Sequence, residues 1–224
     1  MEVLSLIIIG EVENKEYKCY FTSNTDLIKQ YCDVRKKVYM ETFNIADFTS
    51  HEDEYDYHKN TRILVVTLDD KVIGGARLTF HYAGENIKLP MEYDDFQLFN
   101  LFPKLDLKKK NYMEITRMAT LPEYRRDRKM ASDMFNLMFT RSVQEGAECM
   151  YSVTPKIQCR NNRRHFKSLG YEMKTFDDII VIDKPAYDGK QMFLSITDIH
   201  NKLPIGHNKI FYSKSSVSKF EVVS

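Results

Sequence analysis

The second half of the chain alternates strand and helix patterns, and this limits the fold more than any other feature. Met113 to Thr120 reads as a strand, and Leu121 to Lys129 as a charged turn. Ala131, Met134, Phe135, Met138, Phe139 and Val143 then recur every three to four residues, the stripe of a packed helix that Gly146 stops. Cys149 to Val153 is a short apolar strand, Asn161 to Leu169 a basic helix ending at Gly170, and Ile179 to Ile182 a further strand. Elements in this order predict an α/β sheet with parallel crossover pairing in its second half. Met192 to Ile196 is expected as an edge strand.

The first half opens with a short apolar strand up to Gly10, and Tyr17 to Phe21 leads into Ser23-Asn24-Thr25-Asp26, a cluster of helix N-cap residue types. Leu27, Tyr31, Val34 and Val38 follow on one stripe of a helix expected to run to about Phe43, with Arg35 and Tyr39 beside that stripe. Residues 44 to 60 have no sustained period and carry Glu52, Asp53, Glu54 and Asp56, so they read as a long loop with one helical turn. Two strand-like runs, Ile63 to Leu68 and Lys71 to Leu78, flank Asp69-Asp70 and predict a hairpin. Residues 1–213 read as a single domain and 214–224, rich in Ser and Lys, as a flexible C-terminal tail.

A 224-residue chain with 43% hydrophobic residues supplies a full core. Thirty-three basic against 32 acidic residues leave +1, which favours neither nucleic acid nor a membrane surface as a partner. No window approaches the roughly 20 apolar residues of a membrane span. The four cysteines lack the short paired spacing of a zinc site, so no metal is expected, and they read as reduced thiols of a cytoplasmic protein.

Charged residues stand where strands and helices normally carry apolar or neutral ones: Arg35, Asp53 with Asp56, Arg77, Glu114 and Arg117. In a straight strand Glu114 and Thr116 share one face and Arg117 falls on the other. A bulge near Thr116 resets that register, and it frees backbone N–H groups for a ligand oxygen beside a carboxylate. If the strand runs straight, ordinary cross-strand ion pairing explains both charges.

These motifs, in order over about residues 27 to 173, resemble the acyl-homoserine-lactone synthases, the autoinducer synthase branch of the GNAT superfamily. Arg35-Lys-Lys-Val-Tyr39 resembles an Arg-x-x-Val-Phe helix, Glu52 to Asp56 an acidic loop, Gly74-Gly-Ala-Arg-Leu78 a Gly-x-x-Arg-Leu strand, and Met113-Glu-Ile-Thr-Arg117 a Glu-x-Ser-Arg strand. Ser152-Val-Thr154 and Arg164 to Gly170 continue the series. The resemblance implies a GNAT-type three-layer α/β (α+β) sandwich with a mixed, partly split central sheet. It implies Glu114, Thr116 and Arg117 as catalytic residues and Arg35, Tyr39, Phe43, Asp53, Asp56 and Arg77 as acceptor-binding residues. Met118, Thr154, Arg125, Arg126 and Phe166 would contact the acyl group and phosphopantetheine.

Three departures bear on the substrates. The chain contains no Trp, although the family usually places one near its S-adenosylmethionine site; Phe43 or Phe48 would substitute. The turn Tyr124 to Met130 lacks the glycines with which GNAT enzymes grip coenzyme A pyrophosphate, and its arginines suit an acidic acyl carrier protein instead. Phe166 stands where the superfamily often has a Tyr proton donor. The resemblance implies acyl transfer from acyl carrier protein, or from coenzyme A, to the amine of S-adenosylmethionine, with no permanently bound cofactor. The related N-acyl amino acid synthases, which use a free amino acid, are the first alternative. A non-catalytic GNAT-like module that binds a carrier protein or acyl ligand is the second.

Overall fold

The computed structural model describes residues 5–43, 52–92, 97–176, 192–199 and 220–223. They belong to two compact units: Met1–Arg77 with Arg117–Phe139 and Ser213–Ser224, and Leu78–Thr116 with Thr140–Tyr212.

The first unit holds β1 (Ser5–Val12), β2 (Lys15–Thr22), α1 (Thr25–Phe43) and β3 (Thr61–Leu68), and it ends on the first part of β4 (Lys71–His81). Its strands run in the order β4-β3-β2-β1-β9, where β9 is Phe220–Val223, inside the segment expected as a loose tail. β2 lies antiparallel to both β1 and β3, and β1 to β9. Asn24 starts α1 as expected, its Oδ1 accepting the N–H groups of Asp26 (2.9 Å) and Leu27 (3.2 Å). The expected hairpin turn carries Asp69 and Asp70 at φ 49° and 59°, and Glu13-Asn14 between β1 and β2 repeats this with 50° and 61°. Paired left-handed residues of this kind suit the twist of a two-residue hairpin.

The second unit carries the last part of β4, α2 (Leu98–Leu101), β5 (Tyr112–Thr120) as far as Thr116, β6 (Cys149–Pro155), α4 (Lys156–Ser168), β7 (Met173–Phe176) and β8 (Met192–Asp198). α3 (Arg128–Gln144) contributes its C-terminal end, and Gly146 follows at φ 68°. The strand order is β4-β5-β6-β8-β7. β5 and β6 are parallel, in register from Tyr112↔Cys149 to Glu114↔Tyr151, and their pairing stops there although both strands continue. This is the partly split, mixed sheet that was expected.

Three expectations are corrected. β8 is not an edge strand: it lies between β6 and β7. It is antiparallel to both, so the parallel pairing of β5 with β6 does not continue into β8 and β7. α4 begins at Lys156, five residues before the expected Asn161, because Pro155 stands at its N-cap with no side-chain cap bond to mark the start. Ile179 to Ile182 lies outside the described residues.

Around β5 and β6 the second unit packs a core of Leu89, Met91, Leu98, Tyr112, Tyr151 and Ile196. In the first unit Tyr31 is fully buried, and Gly75 of β4 sits hard against it. A Cβ at Gly75 would stand 2.4 Å from the Leu64 carbonyl oxygen and 2.7 Å from the Tyr31 ring. Backbone cannot swing aside as a flexible side chain can, so Gly75→Ala is expected to lower the unfolding free energy by about 1–3 kcal/mol in urea denaturation. An unchanged midpoint would contradict this packing.

Candidate functional site

In the first unit a buried ion cluster joins α1, the turn Glu54–Tyr57, β4 and β5. Arg35 is fully buried and bonds Asp56 through both ends of its fork, Nη1 to Oδ1 at 2.9 Å and Nη2 to Oδ2 at 2.7 Å. Arg77, 1% exposed, donates Nη1 to Asp56 Oδ1 at 2.9 Å and also to Asp53 Oδ1. Arg117 Nη2 lies 3.6 Å from Asp53 Oδ2. Asp53 and Asp56 also cap each other's backbone: Asp53 Oδ1 accepts from Tyr55 N at 3.0 Å and Asp56 Oδ2 from Asp53 N at 2.9 Å. The carboxylates therefore order the acidic turn and take up the two buried guanidiniums together.

Arg35 and Asp56 have no solvent-facing side-chain surface, whereas the Asp53 side chain is 24% and the Arg117 side chain 11% exposed. Among the described residues the cluster reaches the surface at its Asp53–Arg117 end. Both buried guanidiniums thus end on the aspartates. Burial pushes the Asp56 carboxyl up, but the Arg35 hydrogen bonds and the charges of Arg35 and Arg77 outweigh it and hold the group at about 2. Tyr31, its ring under the Arg35 guanidinium, is pushed up to about 12 by burial.

The Tyr31 phenol donates to the Arg117 carbonyl at 2.6 Å. Arg117 itself has φ 56°, so β5 leaves extended geometry there, one residue beyond the expected bulge position. A non-glycine residue in this region costs about 1–3 kcal/mol unless its surroundings enforce it, and such strain clusters at functional sites.

In the second unit Glu114 is 2% exposed, and its Oε2 accepts the Met91 N–H at 2.9 Å. It occupies the last paired position of β5 with β6, opposite Tyr151. Beyond that point on β6, Thr154 Oγ1 is buried without a hydrogen-bond partner, as is the Tyr151 hydroxyl. The same unit has an open cavity of about 430 Å³, lined by Leu101, Phe102, Leu105, Cys149, Phe176 and Ile196, with Lys104, Lys174, Glu172 and Asp198 also present.

The remaining expected residues fall elsewhere or carry less. Tyr39 and Phe166 are buried, while Thr116 and Met118 are half-buried in β5. Arg125 is exposed and bonds the Thr120 carbonyl (3.0 Å) and Thr42 Oγ1 (3.1 Å), and Arg126 is exposed. Phe43 closes α1; Phe48 and the acidic aromatic run Tyr93 to Phe96 lie outside the described residues. Sequence reasoning missed Tyr31, which looked like one more member of an apolar stripe, and Glu92, a single acid in an irregular segment with no spacing to mark it. The four cysteines are buried and free. Among the described residues no helix is long and apolar enough to cross a membrane.

The sequence model for the N-acyl amino acid synthase FeeM matches residues 30–166. No curated protein matches the sequence. Among solved structures the chain is similar to FeeM, an N-acyl amino acid synthase from uncultured soil microbes, at 10% identity over 82% of this chain and 91% of that one, TM-score 0.59. It is similar to the AHL synthase LasI at 14% identity, covering 83% of this chain and 91% of that one, TM-score 0.53. The CoA-dependent acyl-homoserine lactone synthase BjaI, solved with SAM and isopentyl-CoA, is 14% identical over 78% of this chain and 77% of that one, TM-score 0.52. At these identities the structural likeness is one of fold, a GNAT-type acyltransferase architecture.

The Asp56 cluster makes stability depend on pH. Its folded pKa lies below the unfolded one, so its contribution, on the order of 2 kcal/mol, is complete above about pH 4 and is lost as pH falls towards 2. At pH 7, Asp56→Asn is expected to cost about 3–5 kcal/mol in urea denaturation, since it strands the buried Arg35 charge. A loss below about 1 kcal/mol would mean that Arg35 finds another counter-ion.

Proposed function

The chain belongs to the N-acyl amino acid synthase FeeM family, and from that premise we propose that it moves a fatty acyl group from a thioester to the α-amine of a free amino acid. The observation that carries the choice of acceptor is the Asp53–Arg117 pair. It is the partly exposed end of an otherwise buried ion cluster, one carboxylate beside one guanidinium. A free amino acid presents the complementary pair, an ammonium and a carboxylate, and Arg is suited to a carboxylate by its planar fork.

In this proposal the bound ammonium first gives one proton to solvent, the neutral amine nitrogen attacks the thioester carbonyl carbon, a C–N bond forms, the C–S bond breaks and the thiolate leaves. Glu114 takes the amine proton, directly or through one water, and the proton ends on the thiolate. Arg35, Arg77 and Asp56 hold Asp53 in place, and Thr116, Arg117 and Met118 belong to the stretch of β5 whose backbone binds the carbonyl oxygen. The end of β5–β6 pairing at Glu114↔Tyr151 supports this, because strands that separate leave backbone N–H groups for a ligand. Thr154, with its unpartnered hydroxyl, is assigned to the acyl side. The acyl tail takes the cavity of about 430 Å³, whose size falls within the ~300–1,000 Å³ usual for ligand pockets.

The donor is proposed to be an acyl carrier protein. The glycine-free turn Tyr124 to Met130 and the exposed Arg125, Arg126, Arg128, Arg160, Arg163 and Arg164 suit an acidic protein partner. A second reading keeps the donor and uses S-adenosylmethionine, which carries the same amino-acid head group; the SAM bound to BjaI favours it. The absence of Trp favours the free amino acid.

Incubation with decanoyl-loaded acyl carrier protein and either an amino-acid panel or S-adenosylmethionine, followed by mass analysis of products, separates the readings. An N-decanoyl amino acid is expected. A lactone product would establish the second reading, and no acylated product with either acceptor would refute acyl transfer to amines of this type. Glu114→Gln is expected to lower turnover by about 100-fold or more while the protein stays folded. Near-normal turnover would remove Glu114 as the base.

A further inference from the structure

Glu92 has no part in the chemistry proposed above, yet it is 6% exposed and bound on both carboxylate oxygens by backbone. Leu98 N–H donates to Oε1 and Leu89 N–H to Oε2, both at 2.9 Å. Burial and the nearby Glu92 carboxylate push the Tyr112 phenol of β5 up. Glu92 N–H returns to the Leu89 carbonyl at 2.8 Å, closing a turn over residues 89 to 92. The neighbouring Met91 N–H, inside that turn, is the group that donates to Glu114 Oε2. Amides of Leu89 and Met91 in that turn and of Leu98 at the start of α2 thus end on two buried carboxylates.

Irregular backbone has no ladder to satisfy its N–H groups, and a buried carboxylate needs donors; each supplies what the other lacks. From this we infer that Glu92 is a positioning residue, which ties the turn of residues 89 to 92 to the start of α2 so that the Met91 N–H is held on the carboxylate of Glu114. The inference rests on the acyl-transfer reading only for its kinetic consequence. Three titratable rings belong to the same surroundings. His81 of β4 stacks on Tyr112 with centroids 4.5 Å apart and bonds the Ile87 carbonyl through Nδ1 (2.9 Å). Tyr112 meets Tyr151 of β6 edge-on at 5.8 Å. Tyr151 is itself the register partner of Glu114.

Glu92→Asp tests the clamp because it keeps the negative charge and shortens the reach, so that one carboxylate no longer spans both amides. A variant that removed the charge would shift Glu114 by itself and confound the result. In protein carrying ¹³C-labelled glutamate side chains, the Glu114 carboxyl resonance is identified as the one missing from Glu114→Gln and is titrated without substrate. Loss of an N–H donor to the ionised form is expected to raise its midpoint by about one pH unit in Glu92→Asp. Turnover with decanoyl-loaded acyl carrier protein should fall about tenfold at neutral pH with little change in KM for the donor. A folded Glu92→Asp protein with an unmoved Glu114 midpoint overturns the inference, since a purely structural residue would lower thermal stability alone. Should Glu92→Asp not fold, Glu92→Gln, which keeps the side chain's length and one amide acceptor, is read for the Met91 amide proton instead: an unmoved Met91 N–H resonance overturns the inference, and a shifted one supports it. Full activity of Glu114→Gln would instead sink the acyl-transfer role of Glu114 and leave the clamp, read without substrate, standing.

Discussion

The left-handed conformation of Arg117 is the constraint on which the rest of the site depends. A strand that stayed extended through Arg117 would keep strict side-chain alternation past that residue. A non-glycine residue holds such a backbone only where its surroundings determine it, and here the Tyr31 phenol fixes the Arg117 carbonyl from α1. Tyr31 can reach it because Gly75 leaves no Cβ in the way of its ring. A helix residue and a missing side chain thus set the shape of β5.

The ion cluster works by a similar mutual dependence. Two buried guanidiniums would be costly alone, and two aspartates three residues apart would repel; bidentate pairing of Arg35 with Asp56, and of Arg77 with both acids, removes each penalty with the other's charge. Net stabilisation from such a buried set is small, but breaking it by halves is expensive. What the cluster provides is rigidity: the turn Glu54–Tyr57 is capped by the same carboxylates, so Asp53 reaches partial exposure in a fixed orientation.

Much of this is legible in the sequence, for local reasons. Asn24 and the Asp69-Asp70 pair act through their own neighbours, and α3 shows its stripe without help from the rest of the chain. Arg35, Arg77 and Glu114 draw attention because a charge inside an apolar element must find a partner, and the structure supplies partners to each. What cannot be read depends on distant residues. β8 reads as an edge strand from its own composition and becomes internal only because β7 pairs with its far side. The first turn of α4 follows a proline that offers no cap, and Glu92 matters only once Leu89 and Leu98 are folded around it. Mechanistic need alone points to an irregularity in β5 near Thr116; its location at Arg117 comes from Tyr31, which sequence spacing does not connect to it.

The chain belongs to an N-acyl amino acid synthase family, and the proposed account assigns the base to Glu114 and acceptor recognition to Asp53 with Arg117. Its most direct test is a crystal structure with an N-decanoyl amino acid bound. The account predicts the product carboxylate on the Arg117 guanidinium, and the acyl chain entering where β5 and β6 cease to pair beyond Glu114↔Tyr151. A carboxylate bound away from both Arg117 and Asp53, with the β5–β6 opening empty, would contradict it.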